Sequence, residues 1–468
     1  MPVVGPPGAG AGPRPGRIAR RAVVGAAAWG AVLACAGAAT ARPATDRAGA
    51  GPARTSTPYG APTAAPGARP DSAPNTASGT TPGAAPGSTS RSAPHNAPRS
   101  VDVTLRLPAP SGPYPIGARV LHLVDPERAD PWRPGTRREV MVTVWYPARG
   151  GAGRPLVPQM TARAAASFAD WAPRLHPGLL PATGVDWAAT LTHARRDAPV
   201  RAGRRRPVLL YTPGGGEPRT LGTCLAEELA SHGSIVVTID HPGDASEVEF
   251  PDGTLRETEF RGDPRADPEL FATVIAVRIA DVRFVLDRLL AAATGAAPGA
   301  GRRALPRGLA QAIDPHRVGV YGHSAGGTTA AQALYDDRRI GAAVNLEGHL
   351  SHPGTPAGRP GPLFPVAAYG VDRPLLLVGT DGFRDAEYER SWSAMLGHPR
   401  GRTTWRQLSA ANHATLTDHA ALAPQLQRAG LITEAQRNAL VGAAPPTRSI
   451  PLLRHLVRGF FARHLGAR

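Results

Sequence analysis

The sequence predicts an α/β fold, a mostly parallel sheet with helices on both faces. Three observations carry that reading. Short continuous aliphatic runs, such as Pro207-Val208-Leu209-Leu210-Tyr211 and Ile235-Val236-Val237-Thr238-Ile239, have the pattern of strands buried on both faces. They alternate with helical patterns. The longest covers about 267 to 293, where Ile275, Ile279, Val282, Leu286 and Leu289 recur at spacings of four and three. Finally, Arg317-Val318-Gly319-Val320-Tyr321 leads into Gly322-His323-Ser324-Ala325-Gly326 and then a run of small residues, a strand, a sharp turn and a helix.

The elements follow in chain order. Residues 1–41 have the form of an export signal. Arg14, Arg17, Arg20 and Arg21 make a basic start, Ala22 to Ala34 an apolar run, and Ala39-Thr40-Ala41 a small-residue cleavage site. Val32-Leu33-Ala34-Cys35 resembles a lipobox, which would put a lipid on Cys35. Residues 42–100 are dominated by Pro, Ala, Gly, Ser and Thr, with Tyr59 as their one aromatic residue. Such a stretch buries too little apolar surface to offset its ordering entropy, so it is expected to be a disordered linker. Residues 101–468 then form the catalytic domain.

Within it, 120–124 and 140–146 are expected strands, the second ending at Pro147 and starting the sheet antiparallel. Residues 150–205 lack a clear period and are expected to be irregular. Strands follow at 207–211 and 235–239, with a helix over 225–231 between them. Beyond the elbow come strands at 342–346, 374–378 and 403–408. Alternation of this kind produces a doubly wound sheet.

The formal net charge is +17, and every basic residue other than histidine is Arg. The first hundred residues hold ten Arg against two Asp, so +8 lies in the leader and linker. No Arg cluster is interleaved with aromatics, so a nucleic-acid partner is not expected. Contact with a membrane surface or an anionic cell wall stays open. With Cys35 in the leader, Cys224 alone remains. It can make no internal disulfide and is expected to be a buried, inert thiol.

The chemistry centres on Ser324. In a strand-turn-helix setting, G-x-S-x-G forms a nucleophile elbow that exposes the serine hydroxyl at a strained turn. A Cβ at Gly322 or Gly326 would crowd the neighbouring strand and helix. A serine hydroxyl needs a base within hydrogen-bond reach and a third group to orient that base. His413, in a polar loop just after the last strand, is the candidate base. Its ordinary titration predicts activity rising through roughly pH 6 to 7. His419 nearby is expected to start a helix instead. For the acid, Glu347 and Asp381 both end strands, and topology alone slightly favours Asp381. The backbone N–H groups of Gly215, in Gly214-Gly215-Gly216, and of Ala325 are the candidate oxyanion donors. The Gly-rich loop has neither Lys-Ser/Thr after it nor dinucleotide spacing, and the His residues do not pair with carboxylates at ligand spacing. Neither a cofactor nor a metal is expected.

These residues resemble the plasma-type platelet-activating-factor acetylhydrolases and their actinobacterial relatives, a family of α/β-hydrolases. The resemblance spans about Leu107 to Asp418. It is carried by Leu107-Pro108-Ala109-Pro110-Ser111-Gly112-Pro113-Tyr114, Trp145-Tyr146-Pro147, Glu228-Leu229-Ala230-Ser231-His232-Gly233, Gly322-His323-Ser324-Ala325-Gly326-Gly327 and His413-x-x-Leu416-x-Asp418. The family carries its acid as Asp in a Leu-Asp step on the strand after the nucleophile helix. Here Leu346-Glu347 fills that step, which shifts the choice to Glu347 and leaves Asp381 second. The resemblance implies calcium-independent hydrolysis of a short or oxidised acyl chain from a phospholipid. The other readings are a cutinase-like or polyester esterase and, from another class, a non-catalytic exported binding protein on a hydrolase scaffold. A complete Ser324, Glu347, His413 set argues against the last.

Overall fold

The computed structural model describes residues 102–296, 305–356 and 359–466. The expected export signal, linker and Cys35 lie outside them. Among the described residues, ten strands build the main sheet. In chain order they are β1 (Ile116–Ala129), β2 (Arg137–Pro147), β3 (Leu156–Pro158), β4 (Leu191–Arg196), β5 (Arg206–Thr212), β6 (Ile235–Ile239), β7 (Ile313–His323), β8 (Ile340–Leu346), β9 (Leu375–Thr380) and β10 (Thr403–Leu408). Helices of eight or more residues are α1 (Ala162–Leu175), α2 (Thr223–Ser231), α3 (Pro268–Thr294), α4 (Ala325–Asp336), α5 (Ala386–Leu396), α6 (His419–Arg428), α7 (Glu434–Val441) and α8 (Pro446–Leu465).

The sheet runs β10-β9-β8-β7-β5-β6-β2-β1-β4-β3. From β10 to β6 all neighbours are parallel, and β2 joins β6 antiparallel, as its terminal Pro147 suggested. Period-two alternation sorts each central strand between two cores. Val208 and Leu210 of β5, with Val318 and Val320 of β7, join the α3 and α4 side. Leu209, Tyr211 and Tyr321 face the side closed by α2 and α8. Gly319 sits where α8 comes closest, and a Cβ there would lie 2.6 Å from Phe461.

α3 is the long helix its spacing predicts. Asp267 caps its start and Gly295, at φ 84°, ends it. The expectation for 150–205 is corrected. That stretch contains β3, α1 and β4. The inward face of α1 is Ala165, Phe168, Trp171 and Ala172. Its apolar face recurs at helical spacing, but Pro173 inside the helix and Pro177 just beyond it are helix-breaking signals that masked it. After His413 the chain adds α6, which begins at His419 as expected, and then α7 and α8, which the sequence reading left without structure.

The chain places β5 centrally, β6 on one side and β7 on the other. The loops leaving β5 and β7 therefore diverge and open a crevice at the carboxyl ends of the strands, the place where such sheets bind ligands. Gly214–Gly216 and Ser324 are those two loops.

Candidate active site

Ser324 stands between β7 and α4 at φ 54° and ψ −122°, a left-handed conformation rare for a residue with a Cβ. The turn is fixed from all sides. Ser324 N–H donates to Leu346 O at 2.8 Å, and its carbonyl accepts from Gly327 N at 2.7 Å. A Cβ on Gly322 would lie 2.3 Å from Gly326 O, and one on Gly326 2.0 Å from Thr212 O. Both glycines are thus steric requirements of the elbow. Ser324 is half-buried, while the other four residues of its motif are buried.

Glu347 follows β8 and is also at positive φ, 62°. Asn345 holds its turn, accepting from Gly348 N at 2.6 Å and donating to Gly348 O at 2.9 Å. Trp392 Nε1 donates to the same carbonyl at 2.9 Å. Gly348 has no room for a side chain, since a Cβ would lie 2.3 Å from Ser324 O. The turn that carries Ser324 and the turn that carries Glu347 are therefore packed backbone to backbone.

Glu347 Oε2 lies 2.8 Å from His413 Nδ1. Its Oε1 accepts from both the backbone N–H and the hydroxyl of Thr380. Burial pushes the Glu347 carboxyl up, against those Thr380 hydrogen bonds, which favour its charged form. Asp381 is elsewhere. It is exposed and accepts from Gln407 Nε2 at 3.0 Å and Ala410 N at 2.8 Å, a turn carboxylate. The structure brings Glu347 to His413 and leaves Asp381, which topology alone slightly favoured, in an exposed turn.

His413 opens a short 3-10 turn, and Asn412 Oδ1 accepts its N–H at 2.8 Å. Phe383 stacks on its ring with centroids 4.0 Å apart, and His323 lies on it at 4.4 Å. The ring therefore abuts the elbow. Ser324 Oγ makes no hydrogen bond to His413, and such bonds often close only around substrate. Burial, then the neighbouring His323, hold the His413 pKa well below the usual histidine range. On that direction the acid limb is expected below pH 6 to 7, an outcome that a kcat/KM profile against pH decides. The neutral imidazole, able to accept a proton, persists at lower pH. His419 begins α6 and is fully buried beside His176, away from Glu347. Asp418 accepts from the first two N–H groups of α2, Thr223 at 3.1 Å and Cys224 at 2.9 Å, and so anchors the His413 loop. Cys224 is buried, and burial pushes its thiol pKa well up, as expected of an inert side chain.

The glycine loop is held by three groups that the sequence did not point to, Glu217, Asp244 and Arg278, with His323 of the elbow acting through Glu217. Glu217 Oε2 accepts from Gly214 N at 2.8 Å. Asp244 Oδ1 accepts from Gly216 N at 3.1 Å. Arg278, fully buried in α3, donates to Pro213 O at 2.6 Å and Gly214 O at 2.9 Å. His323 Nδ1 meets Glu217 Oε2 at 2.9 Å. Among the described residues the N–H of Gly215 has no partner, between two engaged neighbours. Ala325 N–H heads α4, where no intrahelical acceptor exists. These contacts join residues up to about a hundred positions apart, so no local pattern could have announced them.

No family model matches the chain. A probable 1-alkyl-2-acetylglycerophosphocholine esterase of Arthroderma benhamiae is 27% identical over 385 residues, covering 77% of this chain and 89% of that protein. The platelet-activating factor acetylhydrolase of Bos taurus is 23% identical over 239 residues, 43% of this chain and 46% of its own length. Among solved structures, a ferulic acid esterase from Streptomyces cinnamoneus superposes with a TM-score of 0.60 at 32% identity, covering 78% of this chain and 94% of that one. With the doubly wound sheet and the elbow at its switch point, these likenesses place the chain in the platelet-activating-factor acetylhydrolase family of α/β-hydrolases, as a carboxylic ester hydrolase.

Proposed function

We propose that the chain is an exported serine esterase that hydrolyses short-acyl lipid or phospholipid esters through Ser324, His413 and Glu347. One observation carries the catalytic assignment: the 2.8 Å contact of His413 Nδ1 with a buried carboxylate, on a ring that abuts the serine elbow. His413 Nε2 takes the proton from Ser324 Oγ as that oxygen attacks the ester carbonyl. Glu347 keeps the proton on Nδ1 and stabilises the imidazolium that forms. The free N–H groups of Gly215 and Ala325 receive the developing oxyanion. His413 returns its proton to the departing alkoxide, leaving an acyl enzyme on Ser324. Water, deprotonated by the same imidazole, then releases the acid.

A panel of esters from acetyl to long chain, with a phospholipid and a ferulate ester, tests the substrate class. Preference for short acyl chains on a glycerophospholipid supports the proposal. A preference for the ferulate ester, which the Streptomyces cinnamoneus likeness makes the second reading, overturns it. Ser324→Ala is expected to lower activity by roughly 10³-fold or more and to lose labelling by a fluorophosphonate probe. Export rests on the pattern of residues 1–41. Mass spectrometry of culture medium and membranes should find mature protein beginning at Arg42 or at a lipidated Cys35. Full-length protein confined to the cytoplasm would refute export.

A further inference from the structure

At the opposite end of β5 and β7 from Ser324, the chain frames a cavity of about 720 Å³. Its charged lining is Arg204 and Arg205 before β5, Arg206 at its first position, Arg317 in β7 and Arg458 in α8, with His232 after α2. Leu229, Phe461 and Leu465 supply apolar wall. The length of β5 separates this cavity from the glycine loop by roughly 20 Å, at about 3.3 Å per residue. A group bound there does not touch the reacting ester.

The cations outnumber the acids that face them. Asp314 Oδ2 accepts from Arg317 Nε at 2.6 Å. Glu228 accepts from Ser111 and stands 3.0 Å from His232, 3.5 Å from Arg454 and 3.9 Å from Arg458. Both carboxylates are thus engaged. Arg204 and Arg205 meet no carboxylate among the described residues, and both are exposed. Arg206 is buried, 2% exposed, and donates through Nη1 to Gly233 O at 3.1 Å. It lies against the Tyr114 ring, and its Nε has no partner among the described residues. A buried, unpaired guanidinium N–H is a group that wants an acceptor. A Cβ on Gly233 would lie 3.2 Å from Arg206 Nη1, 3.4 Å from Tyr114 Cε2 and 3.8 Å from Arg204 Nη2, so both guanidiniums reach the same glycine. Burial, and then the neighbouring Arg204 cation, draw the Arg206 pKa below its ordinary value, the direction expected of like charges gathered without counter-ions.

We propose that this cavity is a site for a phosphate-type oxyanion, either free phosphate or the phosphate of an anionic lipid headgroup. The chemistry favours phosphate over a single carboxylate. Several planar forks, arrayed around one space, match a tetrahedral anion that can accept from more than one of them. The volume exceeds that of one phosphate and admits a headgroup.

The test uses the full chain. Its Tm is measured with inorganic phosphate against chloride at equal ionic strength, for wild type and for an Arg204→Ala, Arg205→Ala double variant. Phosphate should raise the wild-type Tm above the chloride control, by mass action on the folded state. The double variant, which changes exposed residues, should lose most of that shift and keep its esterase activity within about twofold of wild type. Arg206→Gln should lose the shift as well; should it fail to fold, the double variant decides alone. No phosphate-specific shift in wild type, or an equal shift in the double variant, overturns the site. Flotation with phosphatidylglycerol vesicles, and with phosphatidylcholine vesicles as control, distinguishes the sources. Binding to phosphatidylglycerol that free phosphate displaces identifies the headgroup. A phosphate shift without flotation identifies a soluble anion.

Discussion

His323 Nδ1 and Glu217 Oε2 form a buried pair 2.9 Å apart that ties the glycine loop after β5 to the Ser324 turn after β7. The same Glu217 oxygen accepts from Gly214 N. One carboxylate therefore sets both the loop that offers Gly215 N–H and the residue that precedes Ser324. Burial alone would raise Glu217, but the His323 charge and hydrogen bond outweigh it and hold Glu217 down to about 2. In return, Glu217 raises His323 against the effect of burial.

This coupling predicts a window of stability. The lowered Glu217 contributes stability that is present above its ordinary value of 4.5 and lost as pH falls toward about 2. The raised His323 contributes stability that is complete below its ordinary 6.5 and lost as pH climbs through its higher folded value. Wild type should therefore exceed Glu217→Gln most between those ordinary values, by roughly 3 kcal/mol, since breaking a buried pair leaves a charge without its partner. Urea unfolding of both proteins across the acid and neutral range measures the difference. A gap that is flat with pH would exclude the ion pair.

Glu347→Gln keeps the shape of the acid and removes its charge. The imidazolium formed during attack then loses its partner, so kcat should fall by roughly 10²- to 10⁴-fold with little change in KM. Asp381→Asn alters an exposed turn and should leave kcat close to wild type. Steady-state kinetics on one ester compares them. A dead Asp381→Asn beside an active Glu347→Gln would return the acid to the end of β9.

The activity profile should follow from the burial of His413. Its pKa lies well below the usual range, so kcat/KM should hold its plateau below pH 6.5 and fall only at more acid pH, as the imidazole gains a proton. Phe383 stacks on the ring and contributes to that burial. Phe383→Ala exposes the imidazole to water, so the acid limb should move toward higher pH. An acid limb that starts near neutrality in wild type, or stays fixed in Phe383→Ala, contradicts this account.

How far the site was legible depends on whether its residues are near in sequence. Ser324 and its glycines form one pentapeptide, and steric crowding at Gly322 and Gly326 ties that motif to one turn. His413 follows a clear strand, and that position is itself a signal. Glu347 and Asp381 both end strands, and only three-dimensional reach separates them, 2.8 Å to His413 for the first and a turn for the second. Arg278 lay in full view on the predicted helix. Its role was hidden because a charged residue in an amphipathic pattern is expected on the wet face. α1 was missed for another reason, the helix-breaking Pro173 and Pro177 set against its apolar face.

Arg278 yields the final prediction. Its guanidinium donates to Pro213 O and Gly214 O and also pairs with Asp244, which accepts from Gly216 N. Carbonyls of the loop are thus held on one side and N–H groups on the other, and Gly215 N–H is left pointing free. Preorganised donors act because they need not reorient when charge develops, and removing one such donor costs about 10²- to 10³-fold in kcat elsewhere. Arg278→Lys retains the charge beside Asp244 but cannot reproduce the planar fork that spans both carbonyls. The variant should therefore fold, with a modestly lower Tm, while kcat falls by roughly 10-fold or more and KM changes little. Its rate of labelling by a fluorophosphonate should fall in the same proportion, because that reaction also builds charge on an oxygen facing Gly215 and Ala325. If labelling stays at the wild-type rate while ester turnover drops, the loop is not the oxyanion site, and Arg278 acts on substrate binding instead.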